Sequence, residues 1–152
     1  MLQRPQTLYL LGVLILSIFL LTGPLAVFTV EGGEMILSHS GITDREGEDL
    51  ELATWPMTVL LILVAFLAFL NIFSYKNRVR QMRICIFLIL LNVGVLGMIL
   101  FYIYLVQSST VDMQIVYQWR IVIPLISIIL IYLGFRRIRR DELLVKAYDR
   151  IR

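Results

Sequence analysis

Few residues in this 152-residue chain carry the chemistry for catalysis or metal binding. His39 is the single histidine, with Ser38 and Ser40 on either side. A hydrolytic site needs a base, an orienting acid and an oxyanion hole brought together around a nucleophile, and three adjacent residues do not supply that. His39 is therefore expected to be solvated in a loop. Cys85, the single cysteine, has no second thiol and reads as a small apolar residue. The acidic run Asp44-Arg45-Glu46-Gly47-Glu48-Asp49-Leu50-Glu51 lacks the Asp-x-Asp-x-Asp-Gly order of a calcium loop, and Arg45 interrupts it. A solvated acidic face is the expectation. No catalytic residue, metal ligand or cofactor is expected, and the chain reads as a non-enzyme.

The composition explains this scarcity. Hydrophobic residues make up 59% of the chain and charged residues 16%, against about 45–50% and about 25% in ordinary soluble domains. Such values exclude a soluble globular protein, a nucleic-acid binder and a disordered chain. The apolar residues lie in long blocks, as in an integral membrane protein. Residues 8–30, 55–75, 84–106 and 121–135 contain no Asp, Glu, Lys, Arg or His. A pump or proton relay places ionisable groups inside its spans despite a cost of about 2.5–3.5 kcal/mol each on insertion scales. An ion-coupled transporter is therefore disfavoured, and the absence of an internal repeat points the same way.

Four membrane-spanning helices are expected, at about 7–30, 55–75, 84–106 and 115–135. A helix needs about 20 largely apolar residues to cross the hydrocarbon, so the fourth must borrow Ile115–Trp119 and carry Arg120 near its outer end. The loop 31–54 mixes turn formers with the short apolar runs Met35-Ile36-Leu37 and Leu50-Glu51-Leu52, which suggests a small outer β-hairpin. The linker Lys76–Arg83 allows only a tight turn. An all-α, up-down-up-down four-helix transmembrane bundle follows, forming one membrane domain over 1–152.

Orientation follows from the basic residues. Arg4, Lys76, Arg78, Arg80, Arg83, Arg136, Arg137, Arg139, Arg140, Lys146, Arg150 and Arg152 all fall on one side, twelve of fourteen. The other side holds Arg45 and Arg120 with Glu31, Glu34, Asp44, Glu46, Glu48, Asp49, Glu51 and Asp112, eight of the eleven acids. Both termini are expected in the cytoplasm. The first apolar block is too long for a signal-peptide core and lacks a good cleavage site, so it is read as a retained span.

Polar residues inside the spans are chiefly Ser17, Thr22, Asn71, Ser74, Asn92 and Ser127. Helix tilt would bring Asn71 and Asn92 together in an interhelical hydrogen bond, worth about 0.6 kcal/mol on average. Gly94 and Gly97 are expected to allow close helix packing. Trp55 and Trp119 open the second and fourth spans at the outer interface, where amphipathic rings settle. Arg120 is expected to reach a lipid phosphate or an outer-loop acid such as Asp112. Pro24 and Pro124 are expected inside their helices, kinking them.

The opening Met1-Leu2-Gln3-Arg4-Pro5-Gln6-Thr7-Leu8-Tyr9-Leu10, Trp55-Pro56, Tyr75-Lys76-Asn77-Arg78, Gln81-Met82-Arg83-Ile84-Cys85 and Leu90-Leu91-Asn92 stand in a distinctive order. Pro124-Leu125-Ile126-Ser127, Arg139-Arg140-Asp141-Glu142-Leu143-Leu144-Val145-Lys146 and Asp149-Arg150-Ile151-Arg152 complete it. Together they resemble a Bacteroidetes family of four-span inner-membrane proteins classed as a domain of unknown function (DUF4293-like). The resemblance covers nearly the whole chain. It implies a small bacterial inner-membrane protein, but no activity and no site residues carry over from it.

Beyond Arg140, Leu144, Ala147, Tyr148 and Ile151 fall at helical spacing among basic residues. This tail either lies on anionic lipid or docks a partner through Leu144, Tyr148 and Ile151. The reading is a non-enzymatic accessory or scaffold subunit of an envelope complex, with membrane lipids and an inner-membrane protein as partners and no nucleic acid. The alternative is a lipid- or small-molecule-binding protein, with a pocket under the outer loop near Trp55, Trp119, Arg120 and Pro124.

Overall fold

The computed structural model describes residues 5–30, 33–38, 41–44, 49–50, 54–109 and 114–151. Its elements run α1 (Pro5–Leu20), β1 (Ala26–Val30), β2 (Gly33–Leu37), β3 (Ile42–Asp44), β4 (Asp49–Leu50), α2 (Trp55–Phe73), α3 (Arg78–Ser109), β5 (Gln114–Tyr117) and α4 (Ile123–Ile151). Each helix contacts the next in sequence, and α4 also contacts α1. Short 3-10 turns join α2 to α3 (Ser74–Lys76) and lead into α4 (Trp119–Val122).

Buried positions recur at alternating steps of three and four. They are Leu10, Val13, Ser17 and Leu20 on α1, and Met57, Leu61, Val64, Ala68 and Asn71 on α2. On α3 they run Gln81, Cys85, Leu88, Asn92, Val95, Ile99, Tyr102 and Val106. A mean step of 3.5 residues keeps one stripe facing the neighbours along a long helix. The opposite faces are apolar as well. Phe66, Phe69 and Phe73 of α2, Phe87, Leu90 and Phe101 of α3, and Ile129 and Tyr132 of α4 are all exposed. Apolar surface on this scale suits lipid rather than water. Three helices are long and apolar enough to cross a membrane, while Thr7–Leu20 of α1 is apolar but shorter.

The first apolar block does not form a 24-residue helix. α1 stops at Leu20, the chain turns through Gly23 and Pro24, and Ala26–Val30 becomes a strand. Pro24 has no N–H to continue a helix, and it disfavours helical geometry at the residue before it. It thus lies beyond α1 and does not kink it. Pro124 is the second residue of α4, where a missing N–H is tolerated, so it causes no interior kink either. The chain 115–119 is also not helical: β5 and the 3-10 turn occupy it, and α4 proper begins at Ile123.

The expected hairpin is a larger element. Five antiparallel strands are ordered β4-β3-β2-β1-β5, with β1 pairing both β2 and β5. Ala26 stands opposite Leu37 and Tyr117, and Phe28 opposite Met35 and Ile115. Ala26, Phe28, Leu37 and Ile42 are fully buried, whereas Thr29 and Val116 on the other face are exposed. The buried face belongs to the same hydrophobic cluster as Ile99, Tyr102, Ile103 and Val106 of α3. The sheet therefore gathers two chain segments, 26–50 and 114–117, at the helix ends nearest Leu20, Trp55, Ser109 and Ile123.

Candidate functional site

Two polar clusters, one at each end of the helices, are built by long side chains reaching backbone carbonyls of a neighbouring helix. A helix leaves its last carbonyls without intrahelical partners, and in an apolar setting that is expensive. The chain meets this demand from the side.

At the end carrying the sheet, the Phe19 carbonyl accepts three donors: Thr22 N–H at 3.2 Å, Thr22 Oγ1 at 2.8 Å and Arg120 Nη1 at 3.1 Å. The Arg120 guanidinium also lies 4.2 Å from the centroid of the Phe19 ring, and that ring stands 5.4 Å from Trp119. A cation near the C-terminus of α1 matches the sign of the helix dipole. Gly23 makes the arrangement possible, because a Cβ there would overlap Arg120 Nη1. Arg120 is thus directed to the end of α1, where a lipid phosphate or an acid was the expected partner. Of the acids considered for it, Asp112, Glu46 and Glu48 lie outside the described residues, as does Arg45. Trp119 joins this cluster. Trp55 is exposed at the first position of α2, and no ring contact or hydrogen bond links it to the cluster among the described residues.

At the opposite end, Asn71 Nδ2 donates to Cys85 Sγ at 3.2 Å, and Gln81 Nε2 donates to the Asn71 carbonyl at 3.3 Å. That carbonyl also accepts the Ser74 N–H, so Gln81 completes the C-terminus of α2. Asn71 and Gln81 are both buried, and their side-chain oxygens Oδ1 and Oε1 have no partner among the described residues. Asn71 therefore bridges α2 to α3 through Cys85, and not through Asn92 as the sequence suggests. Asn92 bonds back to the Leu88 carbonyl of its own helix at 2.8 Å, the usual fallback for a short polar side chain within a helix. Gln81 escaped the sequence reading because it sat within a charged linker; its place four residues before Cys85, on the three-four stripe, was the available signal. Arg78 makes the third such contact, with Nη1 donating to the Asp141 carbonyl of α4 at 2.9 Å.

The glycines behave differently from expectation. A Cβ at Gly97 would meet nothing within 4 Å, and one at Gly94 would meet only Leu60 at ordinary distance. Both glycines are exposed on α3. The close approach falls at Gly12, where a Cβ would stand 3.3 Å from Leu130 across α1 and α4. In the tail, Leu144 is exposed; the side chains of Tyr148 and Ile151 lie outside the described ones, as does His39. Among the described residues, no group of three His, Cys, Asp or Glu could hold a metal ion.

These features define a helical protein of membrane-spanning character, topped by a small sheet and held at both ends by side-chain caps on helix termini. The chain matches, over residues 2–151, the family described as Domain of unknown function (DUF4293), and it belongs to that family. No curated protein matches it.

Proposed function

We propose that the chain is a four-span protein of the bacterial inner membrane, an up-down-up-down bundle with both termini cytoplasmic, and that it serves as a non-enzymatic accessory or scaffold subunit of an envelope complex. α1 rises about 24 Å over its 16 residues, short of the roughly 30 Å hydrocarbon core, a mismatch that local thinning accommodates. The clustering of basic residues at 76–83 and 136–152 supports the orientation. It is tested by thiol labelling in intact cells. Glu46→Cys should react with a membrane-impermeant reagent from outside, and Val79→Cys only after the membrane is opened. The reverse pattern would defeat the orientation.

One observation carries the accessory role. α4 is continuous from Ile123 to Ile151, and Arg78 at the start of α3 meets it at Asp141. Ten residues of α4 therefore extend past that anchor, about 15 Å at the helical rise, with Leu143, Leu144 and Val145 exposed at their base. A continuous helical extension with no Gly or Pro to hinge it favours a projecting docking helix over one lying flat on the lipid. Truncation after Arg140, or Tyr148→Ala, should leave a membrane-inserted bundle that no longer co-purifies with its partner in mild detergent. If the full chain brings down no other protein at matched expression, the accessory role falls and the ligand-binding alternative takes its place.

A further inference from the structure

The joint between α2 and α3 holds more hydrogen-bond acceptors than donors. Asn71 lies on the buried stripe of α2, and Gln81 and Cys85 stand one turn apart on the buried stripe of α3. Asn71 and Cys85 are 0% exposed and Gln81 is 1% exposed. Two contacts join them across one seam, Asn71 Nδ2 to Cys85 Sγ at 3.2 Å and Gln81 Nε2 to the Asn71 carbonyl at 3.3 Å. Both amide nitrogens are thus engaged, while Asn71 Oδ1 and Gln81 Oε1 have no partner among the described residues. The oxygen and nitrogen of an amide are only about 2.2 Å apart. Each of these oxygens therefore stands within about 5.5 Å of the atom its own nitrogen touches, Cys85 Sγ or the Asn71 carbonyl oxygen. Ser74, also buried at this end of α2, adds a hydroxyl that can donate or accept. The buried Ser17 and Asn92 instead bond to carbonyls of their own helices.

A buried oxygen left without a donor forfeits more free energy than an ordinary hydrogen bond returns. The cluster lacks donor hydrogens rather than charge. No Asp or Glu occurs anywhere in 55–85, so a bare cation placed here would have no opposite charge to offset its desolvation. A lipid ammonium or a larger polar ligand does not reach side chains that are at most 1% exposed. Water supplies two donor hydrogens, carries no net charge and settles in enclosed sites that offer two to four polar partners. We propose that the α2–α3 joint is a binding site for ordered water, which donates to Asn71 Oδ1 and Gln81 Oε1 beside the Cys85 thiol. The site is internal to the helix pair, so it rests on neither the orientation nor the accessory role proposed above.

Cys85 is the single cysteine of the chain, so the infrared S–H stretch reports on this site alone. The test transfers the full chain, in mild detergent, into deuterium oxide and follows conversion of S–H to S–D alongside exchange of the backbone amides. Water beside the thiol delivers deuterium without any opening of the helices. The thiol should therefore exchange at least about tenfold faster than the protected helix amides. Asn71→Leu with Gln81→Leu replaces both acceptors by apolar groups of similar size, and conversion should slow by about tenfold. Ser17→Ala, a buried polar group on another helix, should leave the wild-type rate. If the double variant loses helicity, Gln81→Met replaces it, with a smaller slowing in the same direction. Thiol exchange no faster than the protected amides would overturn the site. That result belongs to a dry cluster, with the Asn71 amide turned so that its oxygen accepts the thiol proton. A wild-type rate in the folded leucine variant would overturn it as well. So would a change in rate when sodium and potassium are replaced by a bulky organic cation at fixed ionic strength, because a cation would then be the occupant.

Discussion

Phe28→Ala is expected to produce the largest local loss of stability in the molecule, about 3–5 kcal/mol for a fully buried aromatic side chain. Phe28 lies on β1, the strand that pairs on both sides, and it stands opposite Met35 on β2 and Ile115 on β5. Its ring is fully buried within the hydrophobic cluster that also contains Ile99 and Tyr102 of α3. Removing it undermines the contact that joins two separate chain segments over the helix ends. The helical stripes contain other residues and should hold. Limited proteolysis from the outer side should therefore cut the variant faster between β1 and β2 than the wild type, with helicity by circular dichroism nearly unchanged. Thr29→Ala, on the exposed face of the same strand, should cut at the wild-type rate. Protection of the Phe28 variant equal to wild type would mean that the sheet is held by something other than this face.

The second large effect is expected at Gly23 and Arg120, and its signature is non-additivity. Arg120→Met keeps much of the stem but removes a charged hydrogen bond to the Phe19 carbonyl and the cation above the Phe19 ring. Such a bond contributes about 1.5–3 kcal/mol, and the ring contact at a half-exposed site about 0.5–1 kcal/mol more. Gly23→Ala places a methyl group where the guanidinium sits. The far end of a flexible side chain yields easily, so the methyl should displace Arg120 and mimic its loss. Each single variant should lower stability in detergent unfolding titrations by about 2 kcal/mol. The double variant should fall little further, because the second change removes an interaction already gone. Full additivity would show that Gly23 acts through backbone conformation and not through the space it leaves for Arg120.

Much of the architecture was legible because the bilayer is a severe solvent. A run without charge from Trp55 to Tyr75, and another from Ile84 to Val106, can only be satisfied by helices in lipid. α2 and α3 accordingly fall where those runs predict. The first block departs from this rule, with α1 ending at Leu20 and β1 starting at Ala26. Hydropathy registers Leu25, Ala26, Val27 and Phe28 as membrane-compatible without distinguishing a buried strand from a helix, and only the Gly23-Pro24 pair marked the break. The fourth span departs in mirror image, since Gln114–Tyr117 forms a strand only by pairing with β1, some 85 residues earlier.

The site was less legible still. Asn71, Arg120 and Cys85 drew attention by their types, and charge counting alone determined that the basic residues gather at one end. Which partner each polar group takes is a matter of where a neighbouring helix terminates. Arg120 finds the Phe19 carbonyl because α1 ends early, and Gln81 finds the Asn71 carbonyl because the turn into α3 is only a few residues long. Both contacts depend on the position of an unpaired carbonyl at a helix end, a quantity set by chain geometry and packing rather than by residue type. The apolar lengths and the charge asymmetry are properties of residues in order, whereas the three-four stripes are not legible there, because the faces opposite them are equally apolar. The five-stranded order, the buried stripes and the side-chain caps exist only in the folded chain, since they require distant segments to meet in a particular register.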